Sequence, residues 1–165
     1  MFSYPPGWRR PYLDEDVVKL CPESKWKATG QATIGIHVFV PLPVAGKEGN
    51  QDASVNLHVP FSGKLGEKLT ESLRPLVPKN KRWQHITDSE EGETLPEYPM
   101  FKWVPYESFG SAGGFDTTSF FDEITGSVNE ILQLEGEIDR LFEEAKASIK
   151  NRPQHKRPKK SAPQH

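Results

Sequence analysis

Two histidines, His37 and His58, are placed where their side chains could do chemistry together. Each lies in a stretch of alternating apolar and polar residues, which predicts one β-strand over residues 31–42 and another over residues 54–61. If these strands form an antiparallel hairpin about residues 47 and 48, the two imidazoles face each other within side-chain reach. Such a pair could bind a metal ion or share acid–base work in a small hydrolase.

The residues around the two histidines favour a plainer interpretation. The two-histidine phosphoesterases carry His, an apolar residue and then Thr or Ser in each of two strands. Here residues 37–39 read His-Val-Phe and residues 58–60 read His-Val-Pro, so both hydroxyl positions are missing. The histidines are also closer together in the sequence than in that family. We therefore interpret them as polar residues on a half-solvated face of a sheet.

Three further short motifs also have plainer interpretations. Residues 23–25, Glu-Ser-Lys, match the ExK string of metal-dependent nucleases, whose chemistry needs a second carboxylate on a neighbouring strand. Residues 62–64, Ser-Gly-Lys, lack the spacing of a P-loop, so Ser62 is predicted to cap a helix. Cys21 has no neighbouring His or basic cradle. We therefore predict no catalytic residue, no metal site and no cofactor.

The strongest electrostatic feature is a basic tail over residues 150–165, whose composition predicts disorder. A flexible basic tail can contact phosphates without reading a base sequence. An acidic protein surface is an alternative partner. The residues predicted to bind nucleic acid or another polyanion are Lys150, Arg152, Lys156, Arg157, Lys159 and Lys160.

Composition limits the class of protein. The chain has 165 residues, which suits one domain with tails, and a net charge of −2, which gives no strong field for nucleic acid or a membrane. A single cysteine excludes an internal disulfide. The sequence begins without a signal-peptide pattern, and it has no apolar run of about 18 residues. We expect a soluble cytoplasmic protein without membrane contact.

The longest hydrophobic pattern runs from Asp116 to about Ile149, at spacings of three and four, and predicts a single long helix. At about 1.5 Å per residue this helix would be longer than a four-stranded sheet is wide, so its end would project and pair with a partner or a second copy. The residues predicted to form that surface are Ile138, Phe142, Ala145 and Ile149. The alternative is a helix that breaks near Gly136 and packs on its own domain.

The other elements predict the order strand, strand, helix, strand, strand, helix, with a short helix over residues 63–74 and strands over residues 82–87 and 100–106. Short connections make neighbouring strands antiparallel. The predicted fold is an α+β two-layer sandwich, with a short and a long helix on one face of a four-stranded antiparallel sheet. Residues 1–28 are predicted to be an irregular aromatic and proline-rich arm, residues 29–149 the domain, and residues 150–165 the tail.

The run from Val55 through Phe142, with Arg-Trp-Gln-His at residues 82–85 after the short helix, resembles an uncharacterised domain. That domain is found at the C-terminus of some prokaryotic nuclease-superfamily proteins, and the resemblance covers about half of this chain. It implies an accessory or defence-associated role in a microbe or phage and no catalysis. The nuclease part of those proteins lies upstream, and this sequence has no room for one.

Together these features favour a non-catalytic interaction protein, a subunit or inhibitor of a larger assembly, that engages its partner through the end of the long helix. One alternative is a polyanion-binding accessory protein that uses the basic tail. The other is a small hydrolase that uses His37 and His58.

Overall fold

Alternating apolar residues produce the strands of the sheet, and apolar stripes of helical period produce the helices that cover it. The computed structural model describes residues 6–14, 17–27, 33–41, 52–61, 63–77, 83–86 and 98–150. The elements within these residues are the strands β1 (Tyr12–Asp14), β2 (Val17–Leu20), β3 (Gly35–Phe39), β4 (Ala53–His58), β5 (Trp83–Ile86), β6 (Tyr98–Val104), β7 (Gly110–Ser111) and β8 (Gly114–Phe115), and the helices α1 (Gly63–Leu73), α2 (Thr117–Leu132) and α3 (Glu135–Lys150).

Within the described residues, β1 to β6 form one antiparallel sheet in the order β1-β2-β3-β4-β6-β5. Val38 pairs with Val55, and Leu57 lies between Ile36 on one side and Met100 on the other. Because side chains alternate across a strand, these residues share one face of the sheet. The helices cover that face, and the core between the layers includes Leu20, Ile36, Val38, Val55, Leu57, Leu69, Leu73, Met100, Val104, Ile124, Val128 and Ile131.

The α+β class is confirmed, but the four-stranded sheet in β-β-α-β-β-α order is wrong. The sheet gains β1 and β2, which lie within the predicted irregular arm, and β7 and β8 form a separate two-stranded ribbon. Val18 pairs with Val38, so β2 buries part of its surface against the edge of β3. The four residues of β2 are too few for a clear period-two pattern.

The predicted continuous C-terminal helix is also wrong, and the alternative of a break near Gly136 is confirmed. α2 ends at Leu132, and the N–H of Leu134 then donates to the carbonyl oxygen of Ile131 at 3.0 Å, an i→i−3 bond that tightens the turn. The break lets α3 pack on α1. A continuous helix would instead carry the apolar stripe of α3 into solvent.

Two indoles attach the N-terminal segment to α3. Trp8 Nε1 donates to Glu135 Oε1 at 3.1 Å, and Trp26 Nε1 donates to Asp139 Oδ1. The two rings meet edge to face with centroids 5.5 Å apart, and both side chains are buried. Lys25 forms ion pairs with both carboxylates. These contacts hold both indole N–H groups out of water with charged acceptors, which make the stronger class of hydrogen bond.

A buried lysine attaches α2 to the sheet. Lys102 Nζ, from β6, lies 2.8 Å from Glu123 Oε1 and 3.9 Å from Glu130 Oε1, and only 4% of its side chain is exposed. Its ammonium group also lies 5.6 Å from the ring centre of Trp83, whose indole N–H donates to Glu130. A buried charge is tolerated only when it is paired in this way, so these contacts fix which face of α2 meets the sheet.

We predict that Phe142→Ala lowers the free energy of unfolding by about 3–5 kcal/mol, since it opens a cavity beside α1. The Phe142 ring is buried and stacks on Phe61 with centroids 5.8 Å apart. Ile149→Ala, at a side chain 38% exposed on the same helix, should cost less than about 1 kcal/mol. Urea unfolding of both variants measures the difference. Equal small losses would contradict the packing of α3 inside its own chain.

Candidate binding site on the helix-free face of the sheet

Every second residue of the central strands points away from the helices. The pairing of β3 with β4 places His37 beside Asn56, and the pairing of β4 with β6 places Asn56 beside Phe101 and Ser54 beside Trp103. One surface of the sheet therefore collects histidine, amide and aromatic side chains from three strands, of which β6 is far from the other two in the sequence.

A row of rings crosses this surface. The ring centroids of His37 and His58 are 4.4 Å apart, and those of His58 and Tyr98 are 5.4 Å apart. The row continues from Tyr98 to Phe101 at 6.1 Å and from Phe101 to Trp103 at 4.8 Å. We call these five residues the aromatic band. Phe101 is buried, whereas Trp103 is 43% exposed, so the band ends in an indole that is open to a partner.

A buried polar side chain, Asn56, lies beside the aromatic band. Asn56 is only 6% exposed, and its Oδ1 atom accepts no hydrogen bond from any described residue. A buried acceptor in this state costs about 1–3 kcal/mol. The Oδ1 atom of Asn56 is fully buried, so a partner docked on this face would not contact it directly.

Burial lowers the pKa of His58 to about 4, and the positive charge of Lys19 lowers it in the same direction. His58 is therefore neutral at pH 7. Lys19 belongs to β2 and lies opposite His37 in the sheet. A neutral His58 can stack on its neighbours without charge repulsion, which favours a packing role over a role as a charged group.

The structure brings the two predicted histidines together. Their proximity is confirmed, but the register places them diagonally, because His58 pairs with Gly35 and His37 pairs with Asn56. Within the described residues, no cluster of three or more His, Cys, Asp or Glu side chains could hold a metal ion.

The four residues predicted to bind a partner at the helix end lie mostly inside the chain. Ile138, Phe142 and Ala145 are buried within it, and only Ile149 is exposed, beside Lys64 and Lys68 of α1. The physical reason is the helix break, which turns the apolar stripe of α3 toward α1.

The residues predicted to bind a polyanion lie largely outside the described part of the chain. Lys150 is the last residue of α3, and nothing further is described of its side chain. The remaining five, Arg152, Lys156, Arg157, Lys159 and Lys160, fall in residues 151–165, outside the described residues.

The short motifs have structural roles where they are described. Lys25, from the nuclease-like string, is held by the two carboxylates of α3 that also accept the indole hydrogen bonds. Burial raises the pKa of the Cys21 thiol, and a hydrogen bond with Tyr12 only partly offsets this effect. A raised pKa disfavours the reactive thiolate. Ser62 lies outside the described residues.

Sequence reasoning missed the aromatic band. A signal was present, because the predicted strand over residues 100–106 is dense in aromatic residues. The sequence did not reveal where that strand lies in the order of the sheet. β6 pairs directly with β4, although β5 lies between them in the chain, and this pairing brings Phe101 and Trp103 to the histidines.

Comparisons with protein families, curated proteins and solved structures find no match to this chain. Among the helices that the structure describes, none has both the length and the apolar content needed to cross a membrane. The candidate site therefore has to be interpreted from its own residues.

We predict that acid destabilises the fold partly through His58. Its pKa is about 4 in the folded chain and 6.5 ordinarily, so the unfolded chain takes up the proton first as the pH falls. The contribution of His58 to the free energy of unfolding is complete above pH 6.5 and is lost as the pH falls from 6.5 to 4. For this half-buried group we expect the loss to be about 2 kcal/mol.

The measurement compares urea unfolding of the parent chain and His58→Asn at several pH values. The carboxylates common to both chains cancel in the difference. The stability difference should shrink across this interval as the pH falls. A difference that stays constant with pH would contradict the lowered pKa of His58.

Proposed function

We propose that this chain is a non-catalytic accessory protein that binds its partner through the aromatic band. The observation that carries the proposal is the exposed indole of Trp103 at the end of a row of packed rings. Tryptophan and tyrosine dominate the few residues that supply most of the free energy at protein interfaces. The defence-associated setting implied by the sequence resemblance belongs to the same proposal.

The surface predicted at the end of the last helix does not support this proposal, because Ile138, Phe142 and Ala145 are buried within the chain. The aromatic band is a better candidate for two reasons. Its rings already pack against one another, so little side-chain entropy is lost when a partner binds. The indole of Trp103 is also exposed, so a partner can contact it directly.

A hydrolase based on His37 and His58 receives less support. A general acid or base works best when its pKa lies near the operating pH. His58, with a pKa of about 4, is a weak base and holds almost no proton to donate at neutral pH. Its packing between His37 and Tyr98 accounts for its position without a reaction.

A second candidate function is the binding of single-stranded nucleic acid. An exposed aromatic ring on a sheet can stack with a base, and each such contact is worth about 1–3 kcal/mol. Lys19 lies on the same face of the sheet as the band. The six predicted polyanion-binding residues of the tail would add phosphate contacts that weaken steeply with salt.

We predict that Trp103→Ala weakens partner binding at least tenfold, since truncating a tryptophan at the centre of an interface commonly costs about 2 kcal/mol or more. A photoreactive phenylalanine at position 103 identifies the partner by crosslinking, and calorimetry with the purified partner gives the affinities. Phe115, exposed to 45% on the β7–β8 ribbon, is the matched control position. Equal crosslinking from both positions, or full affinity of Trp103→Ala, would contradict the proposal.

Fluorescence anisotropy with a labelled single-stranded oligonucleotide tests the second candidate. Binding should fall with added salt, and it should weaken both in Trp103→Ala and in a chain that ends at residue 149. Phe115→Ala should bind as the parent chain does. Unchanged oligonucleotide affinity in both variants would contradict the nucleic-acid function. The crosslinking experiment would still test the proposal of a protein partner.

A further inference from the structure

An open apolar cavity of about 580 Å³ lies on the other side of the sheet from the aromatic band. It is formed between the helix-facing sides of β2 and β3 and one face of α2. The segment that leads into β1 closes one side. Its lining residues are Arg10, Pro11, Val18, Leu20, Val38, Val40, Phe121, Ile124, Thr125 and Val128.

The topology explains the cavity. α2 lies over β3, β4 and β6, whereas β1 and β2 extend the sheet beyond the helix. Val18 and Leu20 therefore face a space that α2 only partly fills. The floor is well packed, because Leu20, Val38 and Val128 are all at least nine-tenths buried. The rim is open, and Phe121 is 52% exposed there.

One cation stands among these apolar residues. Among the described residues, Arg10 is the only charged one that lines the cavity, and it forms no ion pair with any of the others. The adjacent Arg9 differs, since its Nη2 atom donates to the carbonyl oxygen of Glu23 at 3.4 Å. Thr125 adds one hydroxyl group to the wall. The cavity thus pairs an apolar interior with a guanidinium group.

We propose that this cavity binds a medium-chain aliphatic carboxylate, with the chain against the apolar walls and the carboxylate on Arg10. The volume lies in the range of small-molecule sites, about 300–1,000 Å³. The walls would take the chain out of water, which favours binding in proportion to the apolar area buried. A guanidinium group can donate two parallel hydrogen bonds to a carboxylate. This site is separate from the aromatic band and does not depend on its function.

Calorimetry with octanoate, decanoate and dodecanoate, each below its micelle concentration, tests the apolar part. Each added methylene should raise the affinity about fourfold until the chain fills the cavity. Decanol and decyltrimethylammonium serve as probes of the charge, and both should bind less tightly than decanoate. Equal affinity across the three acids, or tighter binding of the cation, would overturn the proposal.

Two arginine variants test the charged part. Arg10→Gln should weaken decanoate at least fivefold while leaving decanol within twofold. Arg9→Gln removes a neighbouring charge that does not line the cavity, and it should leave both ligands within twofold. Equal losses in the two variants would show a general charge effect and would overturn the assignment to Arg10.

The location is tested by filling the cavity. Thr125→Phe should abolish binding of decanoate and decanol, with far-UV circular dichroism as the check on folding. NMR of the parent chain gives an independent test. Decanoate should shift the methyl resonances of Val18, Val38 and Val128 and leave those of Val55 and Val104 unchanged. Methyl shifts confined to other residues, or a dimer in sedimentation whose formation excludes decanoate, would overturn the proposal.

Discussion

Two buried indole N–H groups constrain the rest of this structure. The side chains of Trp8 and Trp26 can be buried only if their indole N–H groups donate to hydrogen-bond acceptors. In α3, Glu135 and Asp139 supply these acceptors from adjacent turns. The two ends of the described chain are thereby joined. Once these bonds form, α3 must lie against its own domain, and the break after Leu132 follows from that requirement.

This arrangement decides which surfaces remain available. Among the described residues, the helices cover one face of the sheet, and the opposite face carries the histidine and aromatic side chains, of which Trp103 is exposed. The covering is also incomplete, because β1 and β2 extend past α2 and leave an apolar space beside Arg10. The sheet thus separates the aromatic band, which we propose binds a macromolecule, from the apolar cavity, which we propose binds a small molecule.

The strands with long alternating patterns were predictable from the sequence, as the residues of β3 and β4 show. The pairing of β4 with β6 was not, because strand order depends on contacts across the chain. The helix break was predicted only as the alternative to a continuous helix. Gln133 keeps near-helical dihedral angles, φ −63° and ψ −22°, so the apolar spacing continues through the break almost unchanged. Of the candidate site, the proximity of the histidines followed from hairpin symmetry, whereas Asn56 and Trp103 depended on the unpredicted register.

The central claim is that α3 is held inside its own chain and that binding occurs elsewhere. Amide hydrogen exchange of the chain at two concentrations tests it most directly. We expect the amides of residues 138–145 to be protected as strongly as those in the middle of α2, with rates that do not change on dilution. Protection in α3 that disappears on dilution, while α2 stays protected, would show that a second molecule covers this helix and would contradict the account.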